Sequence, residues 1–257
     1  MTKDILISVV LPVYNGSKTI SQAIDSVLAQ SITCEIIVVD DGSTDALREV
    51  LQPYGQQVRW VINPVNVGVA ASRNRGVTLA QGEYIAFLDA DDWWHPLKCE
   101  LQMEAMKKHH AVMSSTARQL VNTEGQHLGR IIPVKEKITY QQLLKYNAIN
   151  TSSVIVAKNV IETFPMEKDD LHEDYYTWLS IAKTYPYVVG VNQPLLYYRV
   201  DPKSKSGNKL KSAKMHYKTL RAHQVSTIKA MFYFMHYALM GLWKYRGIFN
   251  RREKADA

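Results

Sequence analysis

The 257-residue chain has only two cysteines, Cys34 and Cys99. Two thiols make no disulfide framework, and their spacing is not that of a metal site. Each lies beside an apolar or helical pattern, which fits a reduced, cytosolic setting. Residues 1–14 are too short and too interrupted by Pro12 for a signal peptide, and they lack a small-residue cleavage pattern. They read as a strand. The apolar run at 230–243 contains His236 and falls short of the ~20 residues that a membrane span needs. No internal repeat and no low-complexity tract is present. What remains is a chain with 46% apolar residues, enough to bury a sizeable core.

Charge is unevenly spread. Residues 199–257 hold 14 Lys/Arg against 3 Asp/Glu, whereas the rest holds 17 against 21. The net +7 thus combines a slightly acidic body with a strongly basic tail. Such a tail suggests an anionic partner: nucleic acid, phospholipid or a phosphorylated substrate.

Residues 5–13 form a continuous apolar run rich in β-branched side chains, as in a strand buried on both faces. Asn15-Gly16 turns the chain, and Ile20, Ala23, Ile24, Val27 and Leu28 then recur at helical spacing. Strands follow at 35–39, 58–62 and 84–88, with a short helix after Asp40-Asp41-Gly42-Ser43 and another helix at 69–80. This alternation predicts an open, mostly parallel sheet with helices on both faces, in which ligands bind beyond the carboxyl ends of the strands. Both acidic clusters, Asp40-Asp41 and Asp89-Ala90-Asp91-Asp92, lie at such ends. Beyond 110 the pattern is less regular. Strands are expected at 111–117, 153–157, 186–191 and 195–199, and helices at 139–146 and 174–184. The expected organisation is a 1–205 domain, with a ligand-binding half at 1–110 and an acceptor-side half at 111–205, then a helical tail at 206–257. Residues 202–208 are the best hinge candidate.

Hard divalent cations take oxygen ligands, commonly one or two carboxylates plus substrate phosphates. Asp89 and Asp91 offer two carboxylates on one side of an extended segment. The same loop can instead cap a helix starting near Pro96, with Asp92 as the cap. Ser43 and Asp45 read as helix-start residues, but the two aspartates before them exceed what a cap needs. One could accept hydrogen bonds from a base or from ribose hydroxyls. Arg73 and Arg75 fall on different helical faces, so one can face a phosphate while the other meets solvent. His172-Glu173-Asp174 opens an apolar helix. Acidic residues there favour the helix dipole, and by that local pattern alone a structural role is the better reading. The functional alternative is a general base.

In order and spacing, these stretches resemble the family 2 glycosyltransferases of GT-A fold. The resemblance rests on 9–15, 38–45, Asn66-Val67-Gly68, Ala71-Ser72-Arg73-Asn74, 82–92, Trp94 with Pro96 and Lys98, and His172-Glu173-Asp174-Tyr175 with Trp178-Leu179. It runs from about 5 to 199. It implies an inverting transferase that uses a nucleotide-diphospho-sugar, by resemblance a UDP-sugar. It further implies that Pro12, Tyr14 and Asp41 line the base pocket with Asp40 behind, that Asn66 and Arg73 lie near the nucleotide, and that Ala90 sits between Asp89 at ribose or metal and Asp91 at Mn²⁺ or Mg²⁺. Asp174 would be the catalytic base, with Glu173 beside it at the acceptor as the second catalytic carboxylate. Trp93, Trp94 and His172 would face the acceptor, although tryptophans are as often core. The chain departs from the resemblance after Tyr197-Tyr198-Arg199, where many relatives carry a lid histidine. Here any lid contact falls to Asp201, Ser204, Lys205 or Ser206.

In the tail, Lys211, Lys214, Lys218 and Arg221 share a helical face, and 225–245 is rich in Met, Phe, Tyr and Leu. Apolar, aromatic and basic residues together suggest a helix lying on an anionic membrane. A helix packed on the body or on a second subunit, and hence a homo-oligomer, stays open. Nucleic acid is not expected, because no recognised binding motif accompanies the charge. The expected setting is the cytosolic face of a bacterial inner membrane, with a glycan or lipid-linked acceptor in surface polysaccharide or lipopolysaccharide-like synthesis. Two rivals remain. One is a sugar-phosphate nucleotidyltransferase, which would usually show a glycine-rich basic loop where 12–19 offers only Gly16 and Lys18. The other is a non-catalytic nucleotide-sugar-binding or membrane-scaffold protein.

Overall fold

The computed structural model describes residues 6–167, 171–201 and 209–245. The first half alternates as its apolar pattern requires: β1 (Ile7–Val13), α1 (Ile20–Leu28), β2 (Cys34–Asp40), α2 (Leu47–Leu51), β3 (Arg59–Ile62), α3 (Val69–Leu79) and β4 (Tyr84–Phe87). The second half holds β5 (Trp93–Trp94), α4 (Lys98–His109), β6 (Met113–Val121), β7 (His127–Ile132), β8 (Lys137–Ile138), α5 (Tyr140–Lys145), β9 (Ile155–Ala157), α6 (Lys158–Thr163), α7 (Glu173–Thr184) and β10 (Val188–Arg199). Helices α8 (Lys209–Ala222) and α9 (Thr227–Tyr245) follow.

One ten-stranded sheet runs β3-β2-β1-β4-β9-β6-β10-β5, with β7 beside β6 and β8 beside β10. The first four strands are parallel, paired Asp40 with Ile62, Val13 with Asp40 and Val10 with Phe87. Their carboxyl ends therefore share one edge, and the loops at 14–19, 41–46, 63–68 and 89–92 meet there. β9 enters antiparallel to β4, Ala86 opposite Ile155. That reversal brings the 151–153 turn before β9 up to the same edge. β6 and β10 run parallel to each other and end nearby, Arg199 opposite Val121.

Alternation along the strands divides the interior into two cores. Ile7, Val9, Leu11, Ile36 and Val38 face α1, α2 and α4, whereas Val10, Ile37 and Val39 face α3 and α5–α9. Helices thus cover both faces, as expected of a GT-A-like α/β fold. The two expected strands at 186–191 and 195–199 are one strand, β10, whose pairing with β6 slips at Pro194. Proline cannot donate to the ladder, and the sequence reads as a break where the chain makes an irregularity. The tail is packed as well: Leu220, Val225 and Ala230 belong to the core that contains α7. The expected 205/206 boundary and the 202–208 hinge lie outside the described residues. Cys34 and Cys99 are free thiols with sulfurs 4.0 Å apart.

Helix α3 lies close on β1 because Gly76 faces Val10, and a Cβ at Gly76 would overlap both Val10 methyls. Gly76→Ala should therefore destabilise the protein by ~1–3 kcal/mol, the usual cost of overpacking. Urea denaturation measures this, and an unchanged midpoint would show that α3 can move away freely.

Candidate active site

The site is built on the shared strand edge. At the end of β2, Asp40 accepts from the Ser43 N–H at 2.8 Å and closes the turn that opens toward α2. Asp41 is buried and accepts from Asn63 Nδ2 at 2.8 Å, Val67 N at 3.0 Å and Gly68 N at 2.9 Å. Its carboxylate thus shapes the 63–68 loop that leads into α3. Gly42, at φ +78°, lies against the backbone of Val65 and Asn66, where few side chains fit. Around this turn Pro12 is buried, Tyr14 is 53% exposed, and Asn66 is exposed.

Helix α3 turns its two arginines apart, as their spacing predicts. Arg75 is exposed and donates to the Ile62 carbonyl at 2.9 Å and to Asn63 Oδ1. Arg73 is 4% exposed and bridges the two halves, Nη2 to Asp89 Oδ1 at 2.6 Å and Nη1 to Glu173 Oε1 at 3.2 Å. Burial alone would lower the Arg73 guanidinium, but the charges of Asp89, Glu173 and Asp174 outweigh it and hold it above its usual value. Next to it, Asn74 clamps the backbone of Met166, donating to its carbonyl at 2.8 Å and accepting from its N–H at 3.1 Å. Two consecutive residues of α3 therefore tie down the segment before α7.

Asp174 stands in the first turn of α7 and is half-buried. Its Oδ2 accepts from Thr151 Oγ1 at 2.7 Å and its Oδ1 from the Tyr175 N–H at 2.6 Å. Asp174 is thus oriented by the turn at Thr151–Ser153 (a single 3-10 turn) as well as by its own helix. The same turn holds the β4 end: the Asp89 N–H donates to Ser152 Oγ at 3.1 Å, and Trp94 Nε1 donates to the Ser152 carbonyl at 2.7 Å. None of Thr151, Ser152 and Asn74 was assigned a role from the sequence. A signal did exist: Asn150, accepting from the Ser152 N–H at 3.0 Å, starts the turn as Asx residues do.

The acidic loop after β4 is crowded. Asp92 is buried and accepts from the Arg199 N–H at 2.9 Å. Its carboxyl is pushed well up by burial, then by the charges of Asp91 and Asp89. Asp91 is pushed up to about 6, by loss of surrounding water first and by Asp89 next, with Asp201 adding and Arg199 opposing. Arg199 closes the site from β10: Nε donates to the Asp91 carbonyl at 2.8 Å and Nη2 to Gln22 Oε1 at 2.8 Å, and the guanidinium lies 5.2 Å from the Trp93 ring centre. Trp93 is half-buried and stacked on Tyr197 at 5.2 Å. Trp94 is different from what was expected: at 2% exposure it is a core residue, with Lys98 Nζ 3.8 Å from its ring. A buried indole with its N–H already bonded cannot face an acceptor, so only Trp93 remains a candidate there. His172 is half-buried at the N-cap of α7. Ala90 lies beside Gly16, whose Cβ position is 3.5 Å from the Ala90 methyl.

These oxygens suit a hard divalent cation. Asp91 opens to the cleft with two more carboxylates near it, and Asp89 has Oδ2 left once Oδ1 is committed to Arg73. Among the described residues no three His, Cys, Asp or Glu side chains converge to hold an ion by themselves. A cation at Asp91 would thus complete its shell with phosphate oxygens and water, as Mg²⁺ usually does.

The site thus combines a parallel sheet, an acidic loop at its carboxyl edge and an oriented carboxylate at the start of α7, and in such sheets ligands bind at that edge. The family-wide pattern described as "Glycosyl transferase family 2" matches residues 8–163. The chain therefore belongs to glycosyl transferase family 2, which sets the nucleotidyltransferase rival aside. It is 35% identical over 238 residues to TuaG of Bacillus subtilis, a protein named for teichuronic acid biosynthesis, covering 91% of this chain and 94% of that one. It is 32% identical over 247 residues to WfgD of Escherichia coli, named UDP-Glc:alpha-D-GlcNAc-diphosphoundecaprenol beta-1,3-glucosyltransferase, covering 94% and 96%. Among solved structures, Staphylococcus aureus TarS 1-349 in complex with UDP-GlcNAc shares the fold at a TM-score of 0.70 and 18% identity, over 85% of this chain but only 65% of that one. The mannosyltransferase PcManGT of Pyrobaculum calidifontis, in complex with GDP-Man and Mn²⁺, does so at 0.69 and 16% identity, over 92% and 70%.

A carboxyl whose folded pKa is raised favours the fold while protonated, so its contribution is full below the unfolded value of ~4 and is lost as pH rises through the folded value. For Asp91 that window runs from ~4 to about 6. Asp91 is exposed, which screens the effect, so in chelator Asp91→Asn should raise the melting temperature slightly at pH 7.5 and less at pH 4.5. Added Mn²⁺ should stabilise the wild type at pH 7.5 and not the variant. Equal Mn²⁺ stabilisation of both proteins would remove Asp91 as a ligand.

Proposed function

We propose that the chain moves a sugar from a nucleotide-diphospho-sugar, a UDP-sugar, to a hydroxyl of a lipid-linked glycan acceptor in bacterial surface polysaccharide synthesis, inverting the anomeric centre. The observation that carries this reading is the Asp89–Arg73–Glu173 bridge, which sets the acidic donor loop beside the helix start that bears Asp174. The names of WfgD and of a second E. coli relative, WfaP, 30% identical over 254 residues, support the lipid-linked acceptor and make UDP-glucose the first donor to test.

Each group then has a task. Pro12, Tyr14 and Asp41 line the base pocket, with Asp40 behind and Asn66 on the adjoining loop. Tyr14, half exposed, offers a ring to the base. Asp89 would reach ribose or metal through Oδ2, and Asp91 would hold Mn²⁺ or Mg²⁺. When bound, that cation supplies positive charge to the leaving diphosphate. Asp174 takes the proton of the acceptor hydroxyl as it attacks the anomeric carbon from the face opposite the diphosphate. Thr151 and the Tyr175 N–H fix the carboxylate for that transfer. Glu173 keeps Arg73 in place, and Trp93 and His172 flank the acceptor. The protein works at the cytosolic face of the inner membrane, where lipid-linked acceptors are reached from the nucleotide-sugar pool.

Release of UDP measured across a panel of UDP-sugars, with and without Mn²⁺, tests the reading. Asp174→Asn should lower transfer ~10²–10⁴-fold, the usual contribution of a general base, while calorimetry shows donor affinity unchanged. Turnover retained in that variant rules out the base assignment. Donor binding by the wild type without transfer to any acceptor favours a non-catalytic binding protein.

A further inference from the structure

Over its described side chains, residues 227–236, helix α9 is apolar on two opposite faces, and only one of them is covered. On the covered face Ala230 is fully buried, Tyr233 packs on the core shared with α7, and His236 Nδ1 lies 3.1 Å from the Lys145 carbonyl of α5. On the other face Ile228 is 85% exposed, Met231 51%, Phe232 67% and Met235 54%. Those four sit at i, i+3, i+4 and i+7, one continuous stripe of a helix. A row of large apolar side chains left in water costs free energy unless something covers it, and an exposed patch of this kind marks an interaction surface.

The surrounding charge says what kind of cover fits. Between Asp201 and Glu253 the chain has no Asp or Glu at all, and Lys214, Lys218, Arg221 and Lys229 are exposed on α8 and α9. A second copy docked through the stripe would bring two uniformly basic segments together. An anionic bilayer instead receives both features at once, apolar side chains below the headgroups and lysines among them. No helix among the described residues is long and apolar enough to cross a membrane. The mounting is firm on the protein side. His216 of α8 stacks on Tyr175 with ring centres 5.1 Å apart, and His223 packs on Tyr176 at 4.4 Å. Both tyrosines belong to the first turns of α7, directly after Asp174.

We propose that the Ile228–Met231–Phe232–Met235 face of α9 inserts into the headgroup region of an anionic phospholipid bilayer and docks the enzyme with its acceptor side toward the membrane. This deepens the lipid-linked-acceptor reading and rests on it, but it is separable by experiment. Cosedimentation of the full chain with vesicles of phosphatidylcholine and of phosphatidylcholine with phosphatidylglycerol is the test, with Ile228→Ser/Phe232→Ser as the variant. The wild type should bind the anionic vesicles, weakly bind the neutral ones, and lose binding in high salt. The double variant should bind anionic vesicles ~100-fold less, since each of the two lost apolar insertions is worth about tenfold or more. Both proteins should melt alike and release UDP equally with a water-soluble acceptor, so loss of docking and loss of transferase activity are read separately. Equal vesicle binding by the two proteins overturns the proposal, as does no binding by either. A wild-type dimer in light scattering that the double variant dissolves, without vesicle binding, assigns the stripe to a second copy and also overturns it.

Discussion

A guanidinium buried to 4% exposure must be neutralised, and Arg73 is neutralised from two distant parts of the chain. Asp89 is 16 residues away and Glu173 is 100. Loss of either carboxylate would leave buried charge uncompensated, which typically costs about 3–5 kcal/mol. The pairing therefore acts as a positional constraint more than as a source of net stability. It requires α3 to sit close on β1, which Gly76 permits, and it requires the start of α7 to come down on the strand edge, which Asn74 enforces through Met166. The acidic loop after β4 and the start of α7 are held together by this charge.

The cleft and the tail have opposite signs. Asp89, Asp91, Asp92, Glu173, Asp174 and Asp201 crowd one region, and the raised carboxyls of Asp91 and Asp92 record that crowding. Such a surface repels a diphosphate, and a divalent cation between them reverses the sign of the interaction. Apart from Arg73 and Arg199, which pair within the site, the exposed basic residues Lys214, Lys218, Arg221 and Lys229 stand on α8 and α9 and give the molecule a separate anion-attracting side. A cavity of about 260 Å³ between Tyr176, Lys183 and His223 lies at the α7–α8 contact.

The parallel half of the fold was legible because its signals are local. The apolar run at Ile7–Val13, the helical spacing from Ile20, and acidic clusters after β2 and β4 each lie within one window of sequence. Arg73 and Arg75 were separable by helical geometry alone. Local pattern could not show that Arg73 meets Glu173, that Thr151 orients Asp174, or that Arg199 closes over Asp91, because those contacts join residues far apart. Asp174 itself read locally as a helix-start residue, and only the family resemblance gave it a chemical role. Trp94 shows the opposite failure: beside Trp93 it looked like a ligand-facing aromatic, but strand alternation turns the second ring inward to Ser152. In the tail, sequence left a membrane-facing and a protein-packed helix as alternatives, and α9 packs Ala230 and Tyr233 on the core while Ile228, Met231, Phe232 and Met235 are exposed.

The most direct measurement of the central constraint is a double-mutant cycle on transfer kinetics, with Arg73→Gln, Glu173→Gln and the pair compared with the wild type. If Arg73 and Glu173 act as one unit holding the acceptor helix to the donor loop, the double variant loses no more in kcat/KM than the worse single variant. Losses that multiply across the pair would show two independent roles and contradict the bridge.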